Sequence, residues 1–384
     1  MKNKSKCVLL TLLLMIVVFT LPAFGAGKAS YTVQFWSQGG GSEYSGYRKT
    51  VYDGDSITLP QRSDSSAYRF LGWSEKKSSL EPQYTPGSSL TVHKNITLYA
   101  VCVKNANVVQ LRYNDGKAYK TIVVDGKTDV FPSVAFKNKT LQGWSTKKGR
   151  KCNPQYMEGD IIPKRTAVYY MVVATTPSKQ KPVSSLNVTD SRKYAYTYFV
   201  GDSRMAHYKI KAGKTLKNTK IIAKSGSGYN WLTGTAYPKL IQKIKKDNKV
   251  TKKRKAVIFC HGINDLTRKD KYTAFYRSKA KELKALGCDL YVMSVNPYCS
   301  KQTEYYRRNE NYTEKRTYSK LRDFNTALKG LRSYTYIDIY SYLIKTGWPT
   351  ASLGHPDRPD GLHYTLETTE RIISRANKLM DAHY

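Results

Sequence analysis

Ser203, Gly228, Asn264, Asp360 and His363 have the types and the order that acyl chemistry requires. They stand in four short blocks: Gly201-Asp202-Ser203, Ser227-Gly228, Gly262-Ile263-Asn264-Asp265 and Asp360-Gly361-Leu362-His363. A serine hydroxyl becomes a useful nucleophile when a neighbouring base takes its proton. Of six histidines, His363 is the one with an aspartate three residues before it. Asp360 would fix the imidazole tautomer and stabilise its charged form. Asp357 is the second choice of acid, and His207 and His355 read as surface or packing residues. An attacked carbonyl oxygen gains negative charge, and donors aimed at it lower the barrier. The backbone N–H groups of Ser203 and Gly228 and the side-chain amide of Asn264 are three such donors. Gly226 is the alternative to Gly228, since either glycine lets backbone come close to a ligand. Taken singly, each block has an ordinary reading as a capped turn, a loop glycine or a turn asparagine. The four in order point to a nucleophilic serine. Tyr229, Trp231 and Tyr298 are the aromatic candidates for lining the substrate site, with Trp348 a further one; each also reads as core.

Elements must bring these distant blocks together. From residue 194 onward, short apolar runs at 194–200, 220–223, 256–260, 289–295 and 334–339 read as strands. Helical spacing fills 231–246, 272–286, 314–331 and 366–380. Such alternation predicts right-handed βαβ units and a mostly parallel sheet covered on both faces. In open sheets of this kind, sites form outside the carboxyl ends of the strands, which is where the blocks fall.

The ordered blocks resemble the SGNH (GDSL-type) hydrolase superfamily, whose letters are here Ser203, Gly228, Asn264 and His363. The resemblance spans 194–384. It implies a flavodoxin-like α/β/α three-layer sandwich that cleaves esters or moves acyl groups without cofactor or metal. It also implies that Asp360 completes the triad and that Asp202 has a structural role at the turn. One departure is Arg204, where the motif has leucine; it reads as a solvated cation or one at the cleft mouth. The Gly-x-Ser-x-Gly elbow of another hydrolase fold is absent around Ser203.

The first half is organised differently. Residues 1–26 have basic Lys2, Lys4 and Lys6, an apolar run over 8–21 and a small-residue site at Ala23-Phe24-Gly25-Ala26, which predicts a cleaved export signal. No later run is long and apolar enough to span a bilayer. Two similar segments follow. Phe70-Leu71-Gly72-Trp73-Ser74 with Pro82-Gln83-Tyr84 is repeated as Leu141-Gln142-Gly143-Trp144-Ser145 with Pro154-Gln155-Tyr156. This is an internal duplication. Alternating Tyr, Val, Thr and Trp residues cut by Gly, Pro, Asp and Ser predict two small β-rich repeats, 30–103 and 107–173. A unit this small needs a large apolar anchor, so each Trp is expected in its core, against the alternative of an exposed ring gripping sugar. The pair resembles the secreted Listeria–Bacteroides repeat, similar to internalin-type B-repeats, with Ile96-Thr97-Leu98-Tyr99-Ala100 as its closing strand. That implies β-grasp-like spacer or adhesion modules with no catalysis. Residues 174–193, rich in Pro, Ser, Thr and Lys, read as a linker, and 194–384 as the hydrolase domain.

The net charge is +37, and the signal accounts for only three of the cations. With no nucleic-acid-binding motif beside it, this charge points to an anionic cell-wall polymer or to a merely solvated surface. Cys102, Cys152, Cys260, Cys288 and Cys299 lack the spacing of a disulfide framework or a zinc site. The sequence therefore predicts a multidomain protein, secreted or surface-associated outside the cytoplasmic membrane of a bacterium. Its expected activity is a serine esterase acting on small acyl groups of cell-wall or dietary polysaccharide. An O-acyltransferase with the same triad, or an adhesin with an inactive hydrolase domain, are the alternatives.

Overall fold

In each repeat the Gly-Trp-Ser step lies on a strand. The structure, a computed structural model, describes residues 28–65, 68–79, 81–104, 107–178, 188–212, 216–307, 316–353, 355 and 357–384. The signal expected at 1–26 and residues 179–187 of the linker lie outside them. In the first repeat the strands are β1 (Ser30–Trp36), β2 (Lys49–Tyr52), β3 (Ser56–Thr58), β4 (Tyr68–Ser74), β5 (Ser89–Thr91) and β6 (Ile96–Lys104). The main sheet runs β2-β1-β6-β4, with β1 and β6 parallel. The second repeat has β7 (Val108–Arg112), β8 (Ala118–Val123), β9 (Lys139–Ser145) and β10 (Ala167–Thr175) in the corresponding order β8-β7-β10-β9.

Both tryptophans are core residues. Each is fully buried, and each satisfies its indole N–H on a proline carbonyl, Trp73 on Pro60 at 2.9 Å and Trp144 on Pro132 at 3.0 Å. A buried indole supplies a large apolar area and must find a partner for its one donor.

The chain divides into two compact units, one made of most of the first repeat and the other containing the second repeat and the α/β domain. The first repeat closes around its own cluster of Val33, Phe35, Trp73 and Leu98. The second repeat and the α/β domain form a single unit. Phe131, Trp144 and Tyr169 belong to the same continuous apolar cluster as Val200, Ile258 and Val292. The end of the expected linker is also fixed: Ser191 and the N–H groups of Arg192 and Lys193 bond to Asp381, and Asp190 accepts from Lys217, Asn218 and Thr219.

The α/β domain has β11 (Tyr196–Gly201), β12 (Thr219–Ala223), β13 (Lys255–Cys260), β14 (Cys288–Met293) and β15 (Thr335–Ile337). All neighbours are parallel, in the order β12-β11-β13-β14-β15. Its helices are α1 (Ser203–Ala212), α2 (Tyr237–Val250), α3 (Lys269–Ala285), α4 (Ser300–Arg307), α5 (Tyr318–Lys329), α6 (Ile339–Thr346) and α7 (Leu366–Ala382). A π turn, Leu232–Ala236, leads into α2. Successive residues of β13 and β14 are buried, so both faces of the sheet are covered. Helices α1, α6 and α7 form one packed group, and α3 and α5 another. Helices α4 and α6, eight residues each, are too short for periodicity to reveal, and the expected helix over 314–331 starts at Tyr318.

Candidate active site

Register brings three of the four blocks to one edge. Gly201 pairs with Ala223 on one side and Cys260 on the other, so β11, β12 and β13 end at the same level. The loops carrying Ser203, Gly228 and Asn264 therefore leave the sheet side by side.

The turn after β11 is built by Asp202. Its carboxylate accepts the Arg204 N–H at 3.0 Å, and its carbonyl accepts the N–H groups of Met205 and Ala206, which starts α1. Ser203 thus stands at a helix N-terminus, where partial positive charge favours an anion. Burial pushes the Asp202 carboxyl above its ordinary pKa, against the lowering effect of Arg204.

Ser203, Asp360 and His363 form one hydrogen-bonded chain. Ser203 Oγ lies 2.9 Å from His363 Nε2, and His363 Nδ1 lies 2.6 Å from Asp360 Oδ2. With Nδ1–H donating to the carboxylate, Nε2 is left to accept from the serine hydroxyl. The other Asp360 oxygen accepts the N–H groups of Leu362 at 2.9 Å and His363 at 2.8 Å. The three residues are 5, 6 and 4 % exposed respectively. Burial alone would raise the Asp360 carboxyl. The His363 hydrogen bond and charge, with the two backbone donors, outweigh it and hold the group below its ordinary value. The turn needs Gly361: its φ is +72°, and a Cβ there would meet the Cys299 carbonyl at 2.4 Å.

Arg204 is neither solvated nor at the cleft mouth. It is 8 % exposed and donates to three carbonyls, Leu362 at 3.1 Å, Asn296 at 2.9 Å and Pro297 at 2.9 Å. A leucine cannot do this. The guanidinium fork ties the serine turn to the backbone just before His363. His207 is not a surface residue: one helical turn after Ser203, its ring stacks on the His363 ring with centroids 3.9 Å apart. Asp357 and His355 are exposed, and Asp360 takes the imidazole.

Gly228 and Asn264 meet in one groove, lined also by Lys224, Tyr229, Trp231 and Arg268. Asn264 donates one amide hydrogen to the Ser227 carbonyl at 2.9 Å, and its oxygen accepts from Arg316 at 3.1 Å. The amide is thereby oriented at both its nitrogen and its oxygen. The Gly228 turn is held by Asp265, whose carboxylate accepts the Tyr229 N–H at 2.8 Å and the Tyr272 hydroxyl at 2.7 Å. A Cβ on residue 228 would lie 2.6 Å from Asp265 Oδ2, so that packing requires glycine. Asp265 follows Asn264 directly, and sequence reasoning gave it no role of its own; an acid beside a donor loop was the available signal.

Tyr229 and Trp231 are half-buried at this groove. Tyr298 does not line it. It is 1 % exposed and stacks on Tyr318 at 5.1 Å, so it belongs to the core, as does fully buried Trp348. His261, after β13, is buried, and desolvation pushes its basicity down to about 3, so it stays neutral. Among the described residues, no group of three His, Cys, Asp or Glu side chains could hold a metal ion, and Cys152, Cys260, Cys288 and Cys299 are free thiols. No helix among them is long and apolar enough to cross a membrane.

No curated protein matches the chain in sequence. Among solved structures, the chain is similar to a GDSL-like lipase from Bacteroides thetaiotaomicron. The identity is 14 %, covering 53 % of this chain and 95 % of that one, with a TM-score of 0.35. It is also similar to the C-terminal catalytic domain of peptidoglycan O-acetyltransferase A from Streptococcus pneumoniae, at 16 % identity over 51 % of this chain and 94 % of that one, with a TM-score of 0.30. Residues 31–101, the first of the two repeats, match the family model of the Listeria-Bacteroides repeat domain.

Proposed function

We propose that the α/β domain is an SGNH-type serine hydrolase that cleaves carboxylic esters through an acyl-enzyme. The observation that carries this reading is the buried chain from Ser203 Oγ through the His363 ring to Asp360. In the first half-reaction His363 Nε2 takes the hydroxyl proton as Ser203 Oγ bonds to the ester carbon. The imidazolium pairs with ionised Asp360. The Ser203 and Gly228 N–H groups and the Asn264 amide hold the oxyanion. As the carbon–oxygen bond to the alcohol breaks, His363 returns the proton to the leaving oxygen. Water then enters and gives a proton to His363 as its oxygen bonds to the acyl carbon; when the bond to Ser203 Oγ breaks, His363 returns the proton to that oxygen and the acid is released. Asp202 and Asp265 position the two donor loops, and Arg204 fixes the serine turn against the histidine loop.

The finer reading is a secreted enzyme acting on small acyl groups of a polysaccharide, with the groove beside Tyr229 and Trp231 taking the sugar. The basic surface would hold the protein near anionic polymer.

Hydrolysis of p-nitrophenyl acetate and longer esters tests the chemistry, and acetate release from acetylated glycans tests the substrate. Ser203→Ala is expected to lower kcat by about 10⁴-fold or more, with the fold retained. Turnover that survives this change unaltered would remove the reading. A sugar acceptor in the same assay separates hydrolysis from acyl transfer by its products.

A further inference from the structure

We propose that the second repeat is a positioning element for the acid–base loop, so that full turnover requires this β-rich module to remain seated on the α/β domain. The inference rests on the reading of Ser203, Asp360 and His363 as a triad, and it assigns a role to residues outside that triad.

Two separate arms run from the repeat to the loop. The first starts on β9, where Thr140 and Gln142, two residues apart, share one face of the strand. The Gln142 side chain accepts the Trp348 N–H at 2.7 Å. Thr140 Oγ1 accepts the Thr350 N–H at 3.2 Å, and the two threonine hydroxyls lie 2.8 Å apart. Thr176, just after β10, donates to the Thr350 carbonyl at 2.8 Å. The segment so gripped then bonds to the histidine loop through an isolated bridge, Thr350 to Tyr364. Ala351 N–H donates to the His363 carbonyl at 2.7 Å, and Thr365 N–H to the Pro349 carbonyl at 3.1 Å. Thr350 Oγ1 also accepts the Gly361 N–H at 2.9 Å. Thr140, Gln142 and Thr350 are all buried, so water does not replace these partners cheaply.

The second arm runs through α4. The Gln302 side chain accepts the Phe136 N–H at 2.7 Å and donates to the Phe136 carbonyl at 2.9 Å, as a neighbouring strand would. The same amide nitrogen donates to the Pro359 carbonyl at 2.9 Å, one residue before Asp360. Glu158 of the repeat accepts the Ser300 N–H at 2.9 Å and so caps the start of α4. Cys299 N–H in turn donates to the Gly361 carbonyl at 2.8 Å. Both arms end on residues 359–363, and neither touches Ser203.

The duplication gives an internal control. Aligned on Trp73 and Trp144, the first repeat carries Arg69 and Leu71 where the second has Thr140 and Gln142. Aligned on Tyr84 and Tyr156, it carries Pro86 in place of Glu158. The residues that grip the α/β domain are thus positions at which the copies differ.

The test uses the full chain with Gln142→Leu, Thr140→Val and the conservative Thr140→Ser. A misplacement of the order of 1 Å at a reacting group costs up to about 100-fold in rate. The two disruptive variants are accordingly expected to lose roughly 10- to 100-fold in kcat with KM within about twofold. Thr140→Ser, which keeps the hydroxyl, is expected to restore wild-type turnover. Phosphonylation of Ser203 by a fluorophosphonate is expected to slow in parallel with kcat. Equal kcat and equal labelling rates in folded variants would overturn the proposal. If Gln142→Leu does not fold, Thr140→Val, a hydroxyl exchanged for a methyl of the same size, decides alone. If wild type itself neither turns over esters nor labels at Ser203, the triad reading fails instead, and the two failures are distinct.

Discussion

The two repeats began as copies and now stand in different relations to the rest of the chain. They share a sheet order, a buried tryptophan bonded to a proline carbonyl, and a glycine at positive φ three residues after the Pro-Gln-Tyr step. One closes on its own cluster; the other shares a core with the α/β domain. What changed is the outer polar set and not the anchor. Thr140, Gln142, Glu158 and Asp160 stand where the first copy has Arg69, Leu71, Pro86 and Ser88. A small β module can thus be recruited into a larger fold by altering which of its outer groups find partners, while its tryptophan anchor is kept.

The strongest challenge to this contrast is removal of each anchor. Deleting a buried aromatic side chain costs about 3–5 kcal/mol through lost transfer energy and a residual cavity. Trp144→Ala is expected to take that from the unit that holds the site, and ester turnover should fall with the thermal midpoint. Trp73→Ala is expected to cost as much within the first repeat while turnover at 25 °C is kept. Calorimetry with a parallel activity assay reads both. Loss of turnover in Trp73→Ala, or its retention in Trp144→Ala, would erase the distinction between the copies.

Much of this architecture was legible in the sequence. The Gly-Trp-Ser and Pro-Gln-Tyr steps recur at matching distances, and a repeated large apolar residue in so small a unit has few places to go. The three central strands β11, β13 and β14 were visible as apolar runs because strands buried on both faces have no polar alternation to hide them. Ser203 Oγ and His363 Nε2, 160 residues apart in the chain, lie 2.9 Å from each other. The union of Thr140 with Thr350 was not legible, because a threonine on a strand reads alike whether it faces water or another domain. The course of Arg204 was hidden for a similar reason: its three acceptors are backbone carbonyls, which carry no residue signature. Tyr298, an aromatic candidate for lining the site, stacks on Tyr318 and belongs to the core, a difference that the residue type alone does not carry.

A subtler contrast lies in Glu158, which has no acidic counterpart in the first copy. Burial raises its carboxyl above the ordinary value of 4.5, although Ser133 and Ser300 bond to it. The folded state therefore binds more protons than the unfolded one above pH 4.5, and stability falls as pH rises through the raised value. Asp360 works in the opposite sense. Its lowered carboxyl contributes stability that is complete above the ordinary aspartate range and lost only at lower pH. Above pH 5 the slope from Glu158 is therefore free of the Asp360 contribution. Glu158→Gln removes the ionisation, so its melting temperature relative to wild type is expected to rise between pH 5 and pH 8. A difference that stays constant over that range would mean that Glu158 is no more costly to ionise folded than unfolded.

The smallest expected effect concerns the ion pair at the rim of the same junction. Arg322 on α5 lies 2.6 Å from Asp160 of the second repeat, with side chains 47 and 21 % exposed. Its geometry looks as favourable as that of the buried threonines, but exposed pairs of this kind contribute roughly 0–1 kcal/mol because water solvates both charges and salt screens them. Asp160 also keeps a second bond, from the Met157 N–H at 2.7 Å, that does not depend on the arginine. Arg322→Gln preserves part of the aliphatic stem and removes the charge. We expect it to lower the unfolding free energy measured by urea titration by less than about 0.5 kcal/mol, and by less still at 1 M salt. We also expect it to leave kcat unchanged. Junction strength would then reside in the buried hydroxyl and amide contacts, which is the feature that separates the two copies. A loss above about 1 kcal/mol with a fall in kcat would instead place the coupling in surface charge.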